Sequence, residues 1–240
     1  MLGTIVNTIA VIIGAFIGML LKKGLPEKMA DTLMKGLGLC TLFLGISGSL
    51  KGENSMILII SMVVGTLIGE GVDLEDKVNR LGQWVEKKFS SKKGADDKVS
   101  IAEGFVTASL LFCVGAMTIN GSLNAGISGD NGLLYTKAML DLFSSSMLAV
   151  SLGLGVMLAA AFVFGFQGLL VLFAGILAPV LTEAAIAEMT CAGSLIIVAL
   201  GLNIIGVTNI KIANYLPAIA IAPLLCWLIS VPSIAAVLPF

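Results

Sequence analysis

The sequence lacks histidine altogether and carries few charged residues. None of the 240 residues is His, and only 12% are Asp, Glu, Lys or Arg. Without histidine the chain lacks the commonest general base, the commonest metal ligand and the usual titrating group near neutral pH. A net charge of −1 provides no overall attraction to nucleic acid. We therefore expect no metal, no cofactor and no nucleic-acid partner.

Enzyme motifs are absent as well. The sequence contains no Walker loop, no GxSxG or HExxH motif and no paired acidic motif. No two cysteines form a CxxC pair, and each lies in a different apolar segment: Cys40, Cys113, Cys191 and Cys226. We expect the cysteines to be buried apolar fillers, and we expect the protein not to be an enzyme.

Apolar residues dominate the sequence. They make up 58% of the chain, and the mean hydropathy is +1.05, which is typical of a membrane protein. A spanning helix needs about 20 apolar residues. Eight segments approach that length: 2–21, 34–50, 55–71, 103–121, 138–164, 166–183, 190–208 and 213–231. The fold class predicted is therefore all-α, a polytopic helical membrane protein whose first span is retained. We place the boundary between the fifth and sixth spans at Gly165–Gly168. The alternative is seven spans plus a re-entrant segment.

The basic residues indicate how the spans cross the membrane. Eleven of the fourteen lie in segments 22–35 and 72–102, which two predicted spans separate. Both segments can therefore be cytoplasmic, as the positive-inside rule requires. With eight spans, both termini lie outside, and so do residues 124–137 and the acidic turn Glu183–Glu188. We divide the single membrane domain into a three-helix unit (1–71), an amphipathic helix with its linker (72–102) and a five-helix unit (103–240).

Residues 72–89 are predicted to form the amphipathic helix. Five apolar residues recur there at helical spacing, opposite a charged face: Leu74, Val78, Leu81, Val85 and Phe89. Trp84 suits a membrane interface. The simplest interpretation is a helix lying on the cytoplasmic membrane surface, followed by the polar linker at 90–98. A packing helix for a homo-oligomer is the alternative.

An internal repeat is the next hypothesis. Segments 35–48 and 191–206 carry small residues at equal spacing, Gly36 and Gly45 in the first and Ala192 and Gly201 in the second. If spans 1–3 match spans 6–8, five crossings separate the copies and their orientations are opposite. Such inverted repeats are typical of secondary transporters. Chance similarity between apolar helices is the alternative.

Polar side chains inside the spans are the candidate site residues. A charged group at the centre of a spanning helix costs about 2.5–3.5 kcal/mol, so these side chains face partners, water or a ligand. The candidates for binding a small polar solute or ion are Asn7, Thr118, Asn120, Ser122, Lys137, Asp141, Gln167, Asn203 and Asn214. Lys137 and Asp141 are four residues apart and within ion-pair reach on one helix face. They form either a structural bridge or part of the binding site, in which Asp141 takes a cation or proton and Lys137 an anionic group.

Proline and glycine suggest where helices break and where they touch. Pro217 lies inside the last apolar segment and predicts a helix break, which either aids packing or exposes backbone to a solute. Gly14 with Gly18, and Gly65 with Gly69, are small-xxx-small pairs that predict close helix packing.

Several motifs together resemble a known family. They are GTIVNTIAVIIGAFIG (3–18), FCVGAMTINGSL (112–123), LLYTKAMLD (133–141), FQG (166–168) and NYLP (214–217). In this order they resemble the DUF554 family, bacterial inner-membrane proteins of uncharacterised function that are often labelled transporters. The resemblance covers nearly the whole chain. It implies a multi-pass protein of the bacterial inner membrane and supplies no substrate.

Two functional hypotheses follow. The first is a secondary transporter or permease for a small polar solute or ion, coupled to an ion gradient. The second is a non-transporting scaffold or sensor that acts through the 72–89 helix. A cavity at mid-depth lined by the candidate residues favours transport. A closed bundle in which Lys137 bridges Asp141 favours the scaffold.

Overall fold

The computed structural model describes residues 1–22, 27–89 and 101–230. Nearly all of these residues are helical, and no strand occurs among them. The helices are α1 Leu2–Lys22, α2 Glu27–Ser49, α3 Ser55–Val72, α4 Leu74–Phe89, α5 Ile101–Cys113, α6 Ala116–Ile127, α7 Gly132–Leu152, α8 Leu154–Leu172, α9 Ala174–Leu177, α10 Glu183–Ile204 and α11 Pro217–Ser230. A 3₁₀ turn at Ile212–Tyr215 precedes α11.

The helices confirm an all-α, multi-pass membrane fold. Within the described ranges, seven segments are long and apolar enough to span a bilayer: α1, residues 31–49 of α2, α3, α7, α8, α10 and residues 212–229. Helices α5 and α6 form an eighth span if taken together, with a bend of 61° between them. Large apolar side chains such as Phe43, Leu67 and Ile176 are exposed on the outside of the bundle, where they contact lipid.

The predicted boundary between the fifth and sixth spans is wrong. The chain breaks at Gly153, between α7 and α8, and Gly165–Gly168 lies in the middle of α8. Gly153 has φ of +64°, a left-handed conformation that glycine adopts without steric cost. The spans expected at 138–164 and 166–183 are therefore Gly132–Leu152 and Leu154–Leu172. Hydropathy missed this break because apolar residues continue on both sides of it.

Small residues bring the helices into pairs. At Gly14 and Gly18 of α1, a Cβ would collide with the backbone carbonyls of Leu142 and Ser146 in α7. These contacts advance in the same direction along both helices, so α1 and α7 run parallel. Gly65 and Gly69 of α3 pack just as closely on the α11 region. Both predicted glycine pairs are thus confirmed as packing positions.

The first three helices each pack mainly against a helix of the C-terminal half. Helix α1 lies on α7, α2 lies antiparallel on α10 and α3 lies antiparallel on α11. Antiparallel contacts are required of any neighbouring spans separated by an odd number of crossings. They therefore do not distinguish an inverted repeat, which stays a prediction, as does the division into units at 71 and 102.

The helix bundle has two ends, the N-terminal end and the opposite end. The N-terminal end is the end at which α1, α7 and α10 begin and α2, α6 and α8 finish. The opposite end holds the start of α4 and α5, the end of α10 and the 3₁₀ turn. An apolar cluster that includes Val11, Phe112 and Leu148 joins α1, α5, α7 and α8 between these ends.

Helix α4 forms as predicted and packs against α5 and the 3₁₀ turn. Leu74 and Val78 are half-buried. The side chains of Leu81, Val85 and Phe89, the side chain of Trp84 and the linker at 90–98 lie outside the described part of the chain. Among the cysteines, Cys113 and Cys191 are buried, but Cys40 is exposed on α2, so the expectation of burial is wrong for Cys40.

Candidate functional site

The parallel contact of α1 with α7 positions Asn7 beside Lys137 and Asp141. The backbone N–H of Gly3 donates to Asn131 Oδ1 over 2.9 Å, and Gly14 meets Leu142 further along the same pair. Asn7 lies between these contacts, five residues from the start of α1. At 1.5 Å per residue its depth is about 8 Å, comparable with that of Lys137, five residues into α7.

Lys137 and Asp141 form a buried ion pair. Lys137 Nζ donates to Asp141 Oδ1 over 2.9 Å, and the two residues are only 6% and 4% exposed. The Asn7 amide faces the Asp141 carboxylate, close enough to interact with it but outside hydrogen-bonding geometry. The pair neutralises two charges that would each be costly in hydrocarbon. It leaves the second Asp141 oxygen, Oδ2, unused.

Unused hydrogen-bonding capacity is concentrated around this pair. Asp141 Oδ2 and both polar atoms of the Asn7 amide find no hydrogen-bond partner among the described residues. The same holds for both polar atoms of Gln167 in α8, for Ser122 Oγ in α6 and for Thr4 Oγ1 in α1. Helices α7 and α8 pack against each other, and both pack against α1 and α6. We call Thr4, Asn7, Ser122, Lys137, Asp141 and Gln167 the buried polar cluster.

A broken helix adjoins the buried polar cluster. Helices α5 and α6 meet at Val114 and Gly115, and the Thr118 hydroxyl donates to the Phe112 carbonyl across the break over 2.8 Å. This bond satisfies a carbonyl that the break removes from the helical pattern. Cys113, the last residue of α5, is close enough to Lys137 and Asp141 to feel both charges. Asn120 is half-buried on α6.

Asn203 and Asn214 are not part of this cluster, because they lie at the opposite end. Asn203 Oδ1 accepts from the Ile210 N–H over 2.9 Å and from the Thr208 hydroxyl over 2.7 Å. The Asn203 amide donates to the Ile210 carbonyl over 2.7 Å. These bonds use the whole side chain to hold the loop after α10. The structure therefore brings Asn7, Lys137 and Asp141 together, places Thr118, Ser122 and Gln167 on helices that pack against α7, and separates Asn203 and Asn214 from them.

Asn214 belongs to a polar network that joins α3, α4 and the 3₁₀ turn. Its side chain donates to Glu70 Oε2 over 2.5 Å and accepts from the Glu75 N–H over 2.8 Å. Lys211 pairs with Glu70 over 3.1 Å. The hydrogen bond that Lys211 donates to the Glu70 carboxylate raises the pKa of Lys211. Pro217 follows as the first residue of α11, a position that needs no N–H donor. The break predicted there is a helix start rather than a kink.

Sequence reasoning missed Thr4 and Glu188. Thr4 lies one turn before Asn7 on the same face of α1, a spacing that could have identified it. Glu188 was expected in an outward-facing turn, yet it lies inside α10 and is 3% exposed. Its Oε1 accepts from the N–H groups of Glu53 and Asn54, each over 2.7 Å. Glu188 is therefore a second buried acid inside a span, besides Asp141. The signal for Glu188 was its position immediately before an apolar segment.

Comparison with known proteins identifies the family. The model of DUF554, described as a protein of unknown function, matches residues 2–227. The uncharacterized membrane protein YdfK of Bacillus subtilis (strain 168) is 35% identical over 233 residues, which are 95% of this chain and 97% of that protein. The uncharacterized protein YqgA of Escherichia coli (strain K12) is 30% identical over 221 residues, 92% and 94% of the two chains. No solved structure matches. Because these matches span nearly the whole chain, the protein belongs to the DUF554 family.

Proposed function

We propose that this protein is a secondary transporter or permease for a small polar solute or ion. The observation that carries the proposal is the set of unpartnered polar atoms in the buried polar cluster. An unsatisfied buried donor or acceptor costs about 1–3 kcal/mol, and two amides, a carboxylate oxygen and two hydroxyls share this cost within four adjacent helices. A polar ligand that enters the cluster supplies the missing hydrogen bonds.

Four members of the cluster have specific roles in this proposal. Asp141 Oδ2 accepts a cation, a proton or a ligand N–H, and Lys137 offers its charge to an anionic group. The amides of Asn7 and Gln167 each provide one donor side and one acceptor side. The broken helix at Gly115 supports the proposal, because discontinuous helices near mid-depth form the sites of many secondary transporters.

We infer the orientation from the basic residues. The segments 22–35 and 72–102 are placed in the cytoplasm of a bacterial cell. The N-terminal end of the bundle then faces outward and both termini lie outside. The inner membrane is the membrane that fits a helical multi-pass protein. We propose coupling to an ion gradient and a non-enzymatic role, since the sequence has neither an ATP-binding motif nor a catalytic one.

The test separates binding from folding. A single Asp141→Asn change leaves the buried Lys137 unpaired, which destabilises a fold by about 3–5 kcal/mol. The double variant Lys137→Met with Asp141→Leu removes both charges and is expected to fold as well as the wild type. We would screen a deletion strain for growth defects across metals, amino acids and organic acids. For each solute that causes a growth defect in the deletion strain, uptake is then measured in vesicles that contain the wild type or the double variant.

Under the proposal, wild-type vesicles take up at least one of these solutes and the folded double variant loses at least nine-tenths of that uptake. Gly36→Ala in α2 serves as the control, since Gly36 lies outside the cluster and nothing lies within 4 Å of the added Cβ, and it should retain uptake. Uptake that is equal in the double variant and the wild type would rule out the assigned site.

The ion pair itself favours the second candidate, a scaffold or sensor that acts through α4. Lys137 is bridged to Asp141. Two cavities lie beside α5, and Asn203 is the single candidate site residue among the described residues that line them. A scaffold predicts that the double variant complements the deletion strain fully, whereas changes on the charged face of α4, such as Lys77→Glu, abolish complementation. A transporter predicts that the double variant fails to complement the deletion strain, whereas Lys77→Glu complements it.

A further inference from the structure

Two cavities adjoin along one face of α5: the first lies at the opposite end from the buried polar cluster, and the second reaches Cys113 at the α5–α6 break. Glu103 and Val106 line the first, and Val106, Ser109 and Cys113 line the second. These residues are three or four apart and therefore share a helix face. Because Val106 lines both cavities, the two spaces meet at that side chain.

The first cavity is polar and acidic. It has a volume of about 240 Å³, and two carboxylates, Glu75 and Glu103, line it with the side chains of Asn79, Asn203, Thr208 and Asn209. No lysine or arginine of the described segments lines it. Glu75 uses one oxygen to accept from the Ala213 N–H over 2.9 Å, while Glu103 is exposed. The lining therefore favours a cationic group that can also donate hydrogen bonds.

The second cavity is apolar and aromatic. It has a volume of about 170 Å³. Phe105 meets Phe162 edge to face at a centroid distance of 6.0 Å, and Phe162 stacks on Phe166 at 6.2 Å. Ser109 also lines this cavity. It is 6% exposed, and its hydroxyl finds no partner in the described part of the chain. The cavity thus offers almost entirely apolar walls, a composition typical of small-molecule sites.

We propose that the two cavities form one binding site for an amphipathic amine. The ammonium head lies between Glu103 and the asparagine side chains, and a short apolar chain passes Val106 to lie among Phe105, Phe162 and Phe166. An anionic amphiphile is disfavoured because its head would meet two carboxylates and no cation among the described residues that line the cavity. None of the residues of the buried polar cluster lines this site, although Cys113 lies near both, and the proposal does not depend on transport.

The test uses alkyltrimethylammonium ions and the full-length protein in lipid nanodiscs. Binding is measured as a saturable rise in the melting temperature. Affinity is expected to rise about fourfold for each added methylene from butyl to hexyl, because each buried CH₂ contributes about 0.8 kcal/mol. Tetramethylammonium and hexanoate, which match the head and the tail separately, are expected to bind at least tenfold more weakly than hexyltrimethylammonium.

Variants identify the site. Glu103→Gln is expected to weaken hexyltrimethylammonium binding about tenfold, whereas Glu183→Gln, at an exposed acid near the N-terminal end, leaves it unchanged. Ser109→Phe fills the apolar cavity and abolishes the chain-length dependence. If Ser109→Phe does not fold, the comparison of the two glutamate variants still decides the matter. Equal responses of these two variants, or equal binding of hexanoate, would overturn the proposal and indicate partitioning into lipid.

Discussion

At the scale of single residues, the buried amide of Gln167 and the half-buried amide of Asn203 have opposite environments. Both look alike in the sequence, as polar side chains within long apolar segments. Asn203 has partners for its donor and its acceptor, whereas both polar atoms of Gln167 are unpartnered in the described structure. The sequence identified both residues as polar positions, but the presence of partners depends on which helices become neighbours.

This contrast gives a matched pair of predictions. Gln167→Leu removes an amide without breaking a hydrogen bond, so the free energy of unfolding should rise by about 1–3 kcal/mol. Asn203→Leu breaks three hydrogen bonds and should lower it by a similar amount. Denaturant titration of the purified proteins in detergent measures both. A loss of stability in Gln167→Leu equal to that in Asn203→Leu would show that Gln167 is bonded within the fold.

At the scale of helices, hydropathy predicted most of the spans but misplaced the break between the fifth and the sixth. The first three spans agree closely with α1 to α3, because polar and charged residues separate them. The fifth and sixth spans were misplaced, since Gly153 interrupts a continuous apolar segment and Gly165 and Gly168 looked equally able to do so. Glycine in a spanning helix serves as a break or as a packing position, and only the backbone conformation distinguishes the two uses.

The α1–α7 contact yields a prediction about helix packing. Gly14→Ala adds a Cβ that collides with the Leu142 carbonyl and the Ser145 hydroxyl. We expect a loss of about 1–3 kcal/mol in the free energy of unfolding. Gly36→Ala in α2 is the control, since nothing lies within 4 Å of the added Cβ. That variant should be unchanged or more stable by up to about 1 kcal/mol, because alanine favours helix.

The measurement is again denaturant titration, with both variants in the same detergent. A Gly14→Ala protein as stable as the wild type would mean that α1 can move away from α7 at little cost. The position of Asn7 beside the Lys137–Asp141 pair would then be less firmly determined than the packing indicates.

At the scale of the whole molecule, the connections at the two ends of the helix bundle fit a single orientation of the protein in the membrane. Ser128, at the α6–α7 connection, and Lys51, between α2 and α3, are exposed at the N-terminal end. Val207, in the loop after α10, is exposed at the opposite end. In the orientation that we propose from the positive-inside rule, the first two residues lie outside the cell and the third lies in the cytoplasm.

This orientation is tested by cysteine labelling in a background that lacks the four native cysteines. A membrane-impermeant maleimide added to intact cells should label Ser128→Cys and leave Val207→Cys unlabelled. After permeabilisation, both should react. Labelling of Val207→Cys alone in intact cells would reverse the orientation and place the acidic cavity outside.

The pairing of α1 with α7, of α2 with α10 and of α3 with α11 has a consequence for biogenesis. The first three helices leave the ribosome and enter the bilayer before their partners have been synthesised. Until α7 and α8 follow, Asn7 must face lipid or other transient neighbours, although it is completely buried in the finished bundle. The late helices therefore complete the early ones, and a chain that stops after α6 would leave Gly14 and Gly18 without the surface they fit.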